Sequence, residues 1–114
     1  NNYSYFLSLR KTDLETAEEM SLKTVEAQPK NASYLDTYGW ILFQLKKYSE
    51  AESYLKQSLN NGGDKSGEVL EHYGDVLFET GRPDEALGYW NRALETGEGS
   101  EDLEMKINSR SIVD

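Results

Sequence analysis

The chain has 114 residues, of which 21 are acidic and 12 basic, giving a formal net charge of −9 with 37% hydrophobic positions. That acidity repels phosphate backbones and anionic lipid and favours a cationic partner, and no apolar run approaches the roughly 18 residues of a membrane-spanning helix. There is no cysteine, so disulfides, thiolate nucleophiles and cysteine metal sites are excluded while the compartment stays open.

The chain begins on Asn1, with Tyr3, Phe6, Leu7 and Leu9 already at helical spacing, and it reads as a piece of a longer protein whose targeting signals lie elsewhere. This first helix is expected to end near Lys11, where Arg10 and Lys11 suit a helix C-terminus. Thr12 and Glu15 then form a capping-box pattern that opens a second helix, with Leu14, Ala17, Met20, Thr24 and Val25 on one face and Pro29 as its stop. Asn31 is placed to cap a third helix over Ala32 to Lys46, bearing Leu35, Tyr38, Leu42 and Leu45. Ser49 and Glu52 suggest a second capping box for a fourth helix carrying Ala51, Tyr54, Leu55 and Leu59, which Asn60-Asn61-Gly62-Gly63 ends. Ser66 or Asp64 opens a fifth helix with Val69, Leu70, Tyr73, Val76 and Leu77, closed by Gly81. Pro83 at a first helical position, followed by Asp84 and Glu85, begins the sixth, which holds Ala86, Leu87, Trp90, Ala93 and Leu94. After the Gly97-Glu98-Gly99-Ser100 break, Leu103 and Ile107 mark a short seventh helix, with fraying expected beyond Arg110. No segment sustains strand alternation, so the fold class is all α.

A long-range pattern runs through these helices. Leu35, Tyr38, Gly39, Leu42, Ala51 and Leu55 recur as Leu70, Tyr73, Gly74, Leu77, Ala86 and Trp90, each 35 residues on. A glycine inside a helix costs about 1 kcal/mol relative to alanine, so Gly39 and Gly74 imply a compensating close approach between helices. Ala17, Ala51 and Ala86 sit early in each partner helix, where a small side chain lets a hairpin close. One hairpin cannot bury both its faces, and stacking resolves that. The expected organisation is a single domain over 1–114, with a divergent or truncated first repeat at 1–30, a second at 31–65, a third at 66–99 and a capping helix at 100–110.

These residues resemble the tetratricopeptide repeat, a helix–turn–helix unit of about 34 residues. More narrowly, Leu-Asp-Thr-Tyr-Gly-Trp-Ile-Leu-Phe and Glu-His-Tyr-Gly-Asp-Val-Leu-Phe are similar to the C-terminal repeats of long bacterial proteins of that family. The second repeat departs from the pattern by its extra residue at Gly62-Gly63, and the first by Ser21 where a large side chain is expected. The resemblance implies a right-handed superhelical stack of antiparallel hairpins with about seven helices. It also implies that the first helix of each hairpin lines a concave groove, and that the protein is an interaction scaffold with bacterial cytoplasm and cell envelope both open.

Counting about 100° per residue from Tyr38, the groove side of the third helix carries Asp36, Trp40, Phe43 and Lys47. The fifth helix offers Glu71, Asp75 and Phe78 there, with Glu68 a turn earlier, and the first offers Tyr5. A partner-binding groove of Tyr5, Asp36, Trp40, Phe43, Glu71, Asp75 and Phe78 is therefore expected, suited to a basic or amphipathic peptide or helix. Family members that grip a C-terminal carboxylate use Lys, Arg and Asn at such sites, so that mode is not expected. The alternative is a structural segment of a longer solenoid, in which the aromatics only pack neighbouring helices and the chain caps the stack or self-associates. The single histidine, His72, lacks converging partners in the sequence and is taken as a surface residue. Glu68 and Glu71 do not by themselves give a metal spacing, and the glycine pairs lack the strand and the Lys-Ser/Thr of a phosphate loop. No catalytic, cofactor-binding or metal residue, and no enzymatic activity, is expected.

Overall fold

The computed structural model describes residues 11–109, so the helix expected around Tyr3 to Leu9 lies outside the described residues. Six α-helices follow in order: α1 (Lys11–Ala27), α2 (Ala32–Gln44), α3 (Tyr48–Asn60), α4 (Gly67–Glu79), α5 (Pro83–Thr96) and α6 (Leu103–Ser109), with a 3-10 turn at Gly63–Lys65 between α3 and α4. There is no strand among the described residues. α2 pairs with α3 and α4 with α5; α1 packs on α2, α3 on α4 and α6 on α5, which stacks the hairpins into one body.

Several helix ends follow from the residues that occupy them. Asn31 accepts a hydrogen bond from the Tyr34 amide at 3.0 Å, Ser66 caps α4 through the Val69 amide, and Pro83 opens α5 ahead of Asp84 and Glu85. Two capping boxes expected from sequence are not how the helices begin. α1 is already helical at Lys11, so Thr12 is an interior position. α3 starts at Tyr48 behind Lys47, which makes no side-chain cap, and Glu52 pairs with Arg82 at 2.5 Å. The backbone explains the second case. Lys46 adopts φ 65°, and the Lys46 and Lys47 amides close the end of α2 on the Phe43 and Leu42 carbonyls, both at 2.9 Å. The same turn recurs 35 residues on, where Gly81 at φ 85° and Arg82 donate to Phe78 and Leu77.

The hairpins close where glycine permits it. A Cβ on Gly39 would lie 2.7 Å from Leu55 Cγ, and one on Gly74 would lie 2.6 Å from Trp90 Cδ1. Leu55 and Trp90 are completely buried, as are Ala51 and Ala86 beside them. Each hairpin adds an edge-to-face tyrosine pair, Tyr38 on Tyr54 at 4.6 Å and Tyr73 on Tyr89 at 4.8 Å, a geometry favoured by the ring quadrupole. One continuous core runs from Val25 through Leu35, Leu42, Leu70 and Leu77 to Leu103.

Two substitutions test this arrangement in opposite directions. Gly39→Leu should destabilise by about 1–3 kcal/mol through overpacking against Leu55. Lys46→Gly should stabilise by about 1 kcal/mol, because a left-handed residue with a Cβ is strained by roughly that amount. Urea unfolding midpoints at constant slope check both, and a Gly39→Leu midpoint equal to wild type would show that the hairpin contact is misassigned.

Candidate interaction face

The first helices of the hairpins, α2 and α4, meet along one side of the stack, and α6 extends it. On α2, Asp36 is only 6% exposed, and its Oδ1 lies 2.8 Å from Nδ1 of His72 on α4. Trp40, one turn after Asp36, stacks on the His72 ring with centroids 3.9 Å apart and planes 12° from parallel. Its neighbour Phe43 stacks on Trp40 at 4.9 Å and leans on Tyr48. All three rings, His72, Trp40 and Phe43, remain partly exposed, so a column of rings stacked face on face runs from α4 to the α2–α3 turn.

The α4 carboxylates behave differently from the expectation. Glu71 and Asp75 were expected to be presented to a partner, but they are 4% and 1% exposed and are held inside the chain. Glu71 accepts hydrogen bonds from the Ser100 amide at 2.7 Å and the Ser100 hydroxyl at 2.6 Å. Lys106 of α6 then donates to Glu71 at 2.6 Å and to Asp75 at 3.1 Å, while the other Asp75 oxygen accepts from the Trp90 indole at 3.0 Å. A buried carboxylate is tolerated only when paired and hydrogen-bonded, and α6 brings the pairing cation. Asp36 is likewise buried, on His72. Phe78 is half-buried against the core with its ring 6.0 Å from Trp90, and Tyr5 lies outside the described residues.

Burial by itself would raise the pKa of Glu71, but Lys106 and the two Ser100 donors outweigh it and hold the carboxyl below its ordinary value. Burial dominates at the deeper Asp75, which is raised despite Lys106 and His72. The two directions agree with the distances, since Lys106 sits closer to Glu71. Burial lowers the pKa of Lys106 while Asp75 and Glu71 raise it, and the carboxylates prevail. For His72, burial also lowers the value, but the charge and hydrogen bond of Asp36 raise it further.

A cavity of about 360 Å³ opens beside these groups, lined among others by Trp40, Glu68, His72, Glu98 and Asp102. Glu68, Glu98 and Asp102 are exposed, so the accessible charge on this side is negative. Sequence reasoning missed Lys106, Ser100 and the true setting of His72. The repeat itself carried a signal: Asp36, Glu71 and Lys106 are spaced 35 residues apart, so a third copy of the register laid over α6 puts a cation in the layer next to Glu71.

The ionic lock yields a pH test. Because the folded-state pKa of Glu71 is lowered from 4.5, its contribution is fully present above that value and is lost as the pH falls through the folded pKa. Glu71→Gln should therefore lower stability at neutral pH, and the gap to wild type should shrink on acidification. Urea midpoints of both proteins between about pH 7 and about pH 3 measure this; a gap that stays constant would show that Glu71 is not held ionised by Lys106.

Comparison with known proteins agrees with this architecture. The tetratricopeptide-repeat family model matches residues 32–60. Over 64 residues, 56% of the chain, the sequence is 36% identical to a TPR repeat-containing protein of Pseudomonas aeruginosa, of which it spans only 11% of the length. The first TPR of Spaghetti bound to an HSP90 peptide superposes with a TM-score of 0.79 at 19% identity, covering 88% of this chain and 80% of that one. YrrB, described as a TPR protein with an unusual peptide-binding site, gives 0.78 at 25% identity over 96% of this chain and 55% of its own. A thermophilic TPR protein of Thermus thermophilus gives 0.73 at 27% identity, over 88% and 50% of the two chains. Residues 32–60 thus form a tetratricopeptide repeat, and the chain has the stacked helical-hairpin fold of the proteins built from it.

Proposed function

We propose that this chain is a protein-interaction module that holds a basic or amphipathic segment of a partner across the α2–α4 face. The observation that carries this reading is the stacked, partly exposed column of Phe43, Trp40 and His72. Rigid aromatic rings already held in place by stacking, and still partly exposed, supply contact at small entropic cost, and aromatic residues are enriched in binding hot spots. The exposed carboxylates of Glu68, Glu98 and Asp102 flank it and select for positive charge. Asp36, Glu71 and Asp75 act from beneath: paired with His72 and Lys106, they fix the floor of the face, and Phe78 continues it towards the core. The peptide held by the first TPR of Spaghetti, SRMEEVD, is rich in acid. The face described here would repel such a sequence, so the expected ligand carries Lys or Arg in its place.

A second reading, self-association, draws on Met105 and Leu94, which are 53% and 42% exposed on α6 and α5.

Peptides selected from a display library on the wild-type protein give the test. The best binder should carry net positive charge and should lose about tenfold or more in affinity for the Trp40→Ala/Phe43→Ala double variant, the order of loss for truncating a hot spot. Equal affinity in a double variant with unchanged helical content removes the face from the reading.

A further inference from the structure

The cluster centred on His72 has a second property that the interaction reading does not use. Asp36, Glu68 and His72 each present a ligand-capable atom, and these three atoms all lie within 4.8 Å of one another. Glu68 and His72 are four residues apart on α4, the spacing that sets two side chains one above the other on the same helix face. Asp36 arrives from α2, a separate helix, and is 6% exposed. His72 is fixed from one side by the Trp40 ring at 3.9 Å and from another by Asp36. Two of the three donors are therefore positioned before any ion arrives, and the exposed Glu68 is free to swing in.

We infer that Asp36, Glu68 and His72 form a binding site for one divalent transition-metal ion of the zinc class, which bridges the two repeat layers. The donor set decides the class. One imidazole with two carboxylates suits Zn²⁺ and its neighbours, whereas Mg²⁺ and Ca²⁺ prefer oxygen alone. The ion takes the place of the proton shared by Asp36 and His72. Their 2.8 Å separation opens by about half an ångström to the roughly 3.3 Å edge that ligand bonds near 2.0 Å impose on a tetrahedral site. Three protein donors leave a fourth position open. Access exists from both sides, since Glu68 lines the cavity of about 360 Å³ next to Trp40 and also a second of about 580 Å³ next to Asp36. The surrounding Glu98 and Asp102 raise the local cation concentration. The site stands or falls independently of peptide binding.

Isothermal titration of tag-free protein with Zn²⁺ tests the assignment, with Co²⁺ absorption in the visible range as a direct sign of inner-sphere imidazole and carboxylate ligation. One ion per chain is expected. Glu68→Gln, at an exposed position that leaves the fold intact, should weaken binding by about tenfold or more, as losses in and around metal sites do. His72→Gln should abolish it, with circular dichroism confirming the helices. Absence of binding at millimolar Zn²⁺ overturns the inference, and so does wild-type affinity in either variant.

Discussion

The contact on which the rest of the structure depends is the seating of one large side chain on one bare helix backbone. Leu55 lies over Gly39 and Trp90 over Gly74, at distances that a single added carbon would not permit. The approach sets the separation of the two helices in each hairpin. That separation in turn lets Ala51 and Ala86 vanish into the interface and brings Tyr38 and Tyr73 edge-on to Tyr54 and Tyr89. A packed interior tolerates little change in volume, so the small and large partners are specified as pairs. The helix-propensity penalty of the glycines is offset by burial of a whole leucine or tryptophan, worth about 1.5–3 kcal/mol or more for a large apolar side chain.

Between hairpins the chemistry changes while the geometry repeats. Asp36, Glu71 and Lys106 occupy one position in three successive layers, 35 residues apart, and each of the first two is paired with a side chain of the layer that follows. Asp36 meets His72, and Glu71 meets Lys106. A buried carboxylate left without such a partner is strongly destabilising, by about 3–5 kcal/mol. Stacking is thereby tied to polar pairing as well as to apolar area, and a layer without its hydrogen-bonding partner is disfavoured. The same pairing explains why a chain of net charge −9 can hold three carboxylates buried beneath the α2–α4 face.

How much of this could be read in the sequence follows the same division. The hairpins were legible because each is closed by residues whose separation in sequence is constant. Gly39 with Ala51 and Leu55, and Gly74 with Ala86 and Trp90, announce themselves twice. The fold class and the stacked-hairpin architecture followed from that repetition. The face was half legible: a helical wheel shows which side of α2 carries Asp36, Trp40 and Phe43, but not what stands opposite. Read along α4 alone, His72 looks like a surface residue, because its partner Asp36 belongs to another layer. Glu71 and Asp75 were expected to be open to a partner because Lys106 comes from a seven-residue helix whose own pattern is too short to announce a docked cation. Helix starts failed where backbone closure replaced side-chain capping, as at Lys46 and Lys47.

The hydrogen bond between the Trp90 indole and Asp75 also gives the molecule an optical property. The chain has two tryptophans, and they sit in opposite settings. Trp40 lies partly exposed in the aromatic column, where its emission reports what lies across that surface. Trp90 is sealed in the core, yet through Asp75 it is in electrical contact with the ammonium of Lys106. Withdrawing α6 removes a positive charge from one end of a buried indole dipole, a change to which fluorescence energy is directly sensitive. The two chromophores therefore divide the labour between them, one reading the outside of the stack and the other the docking of its last helix.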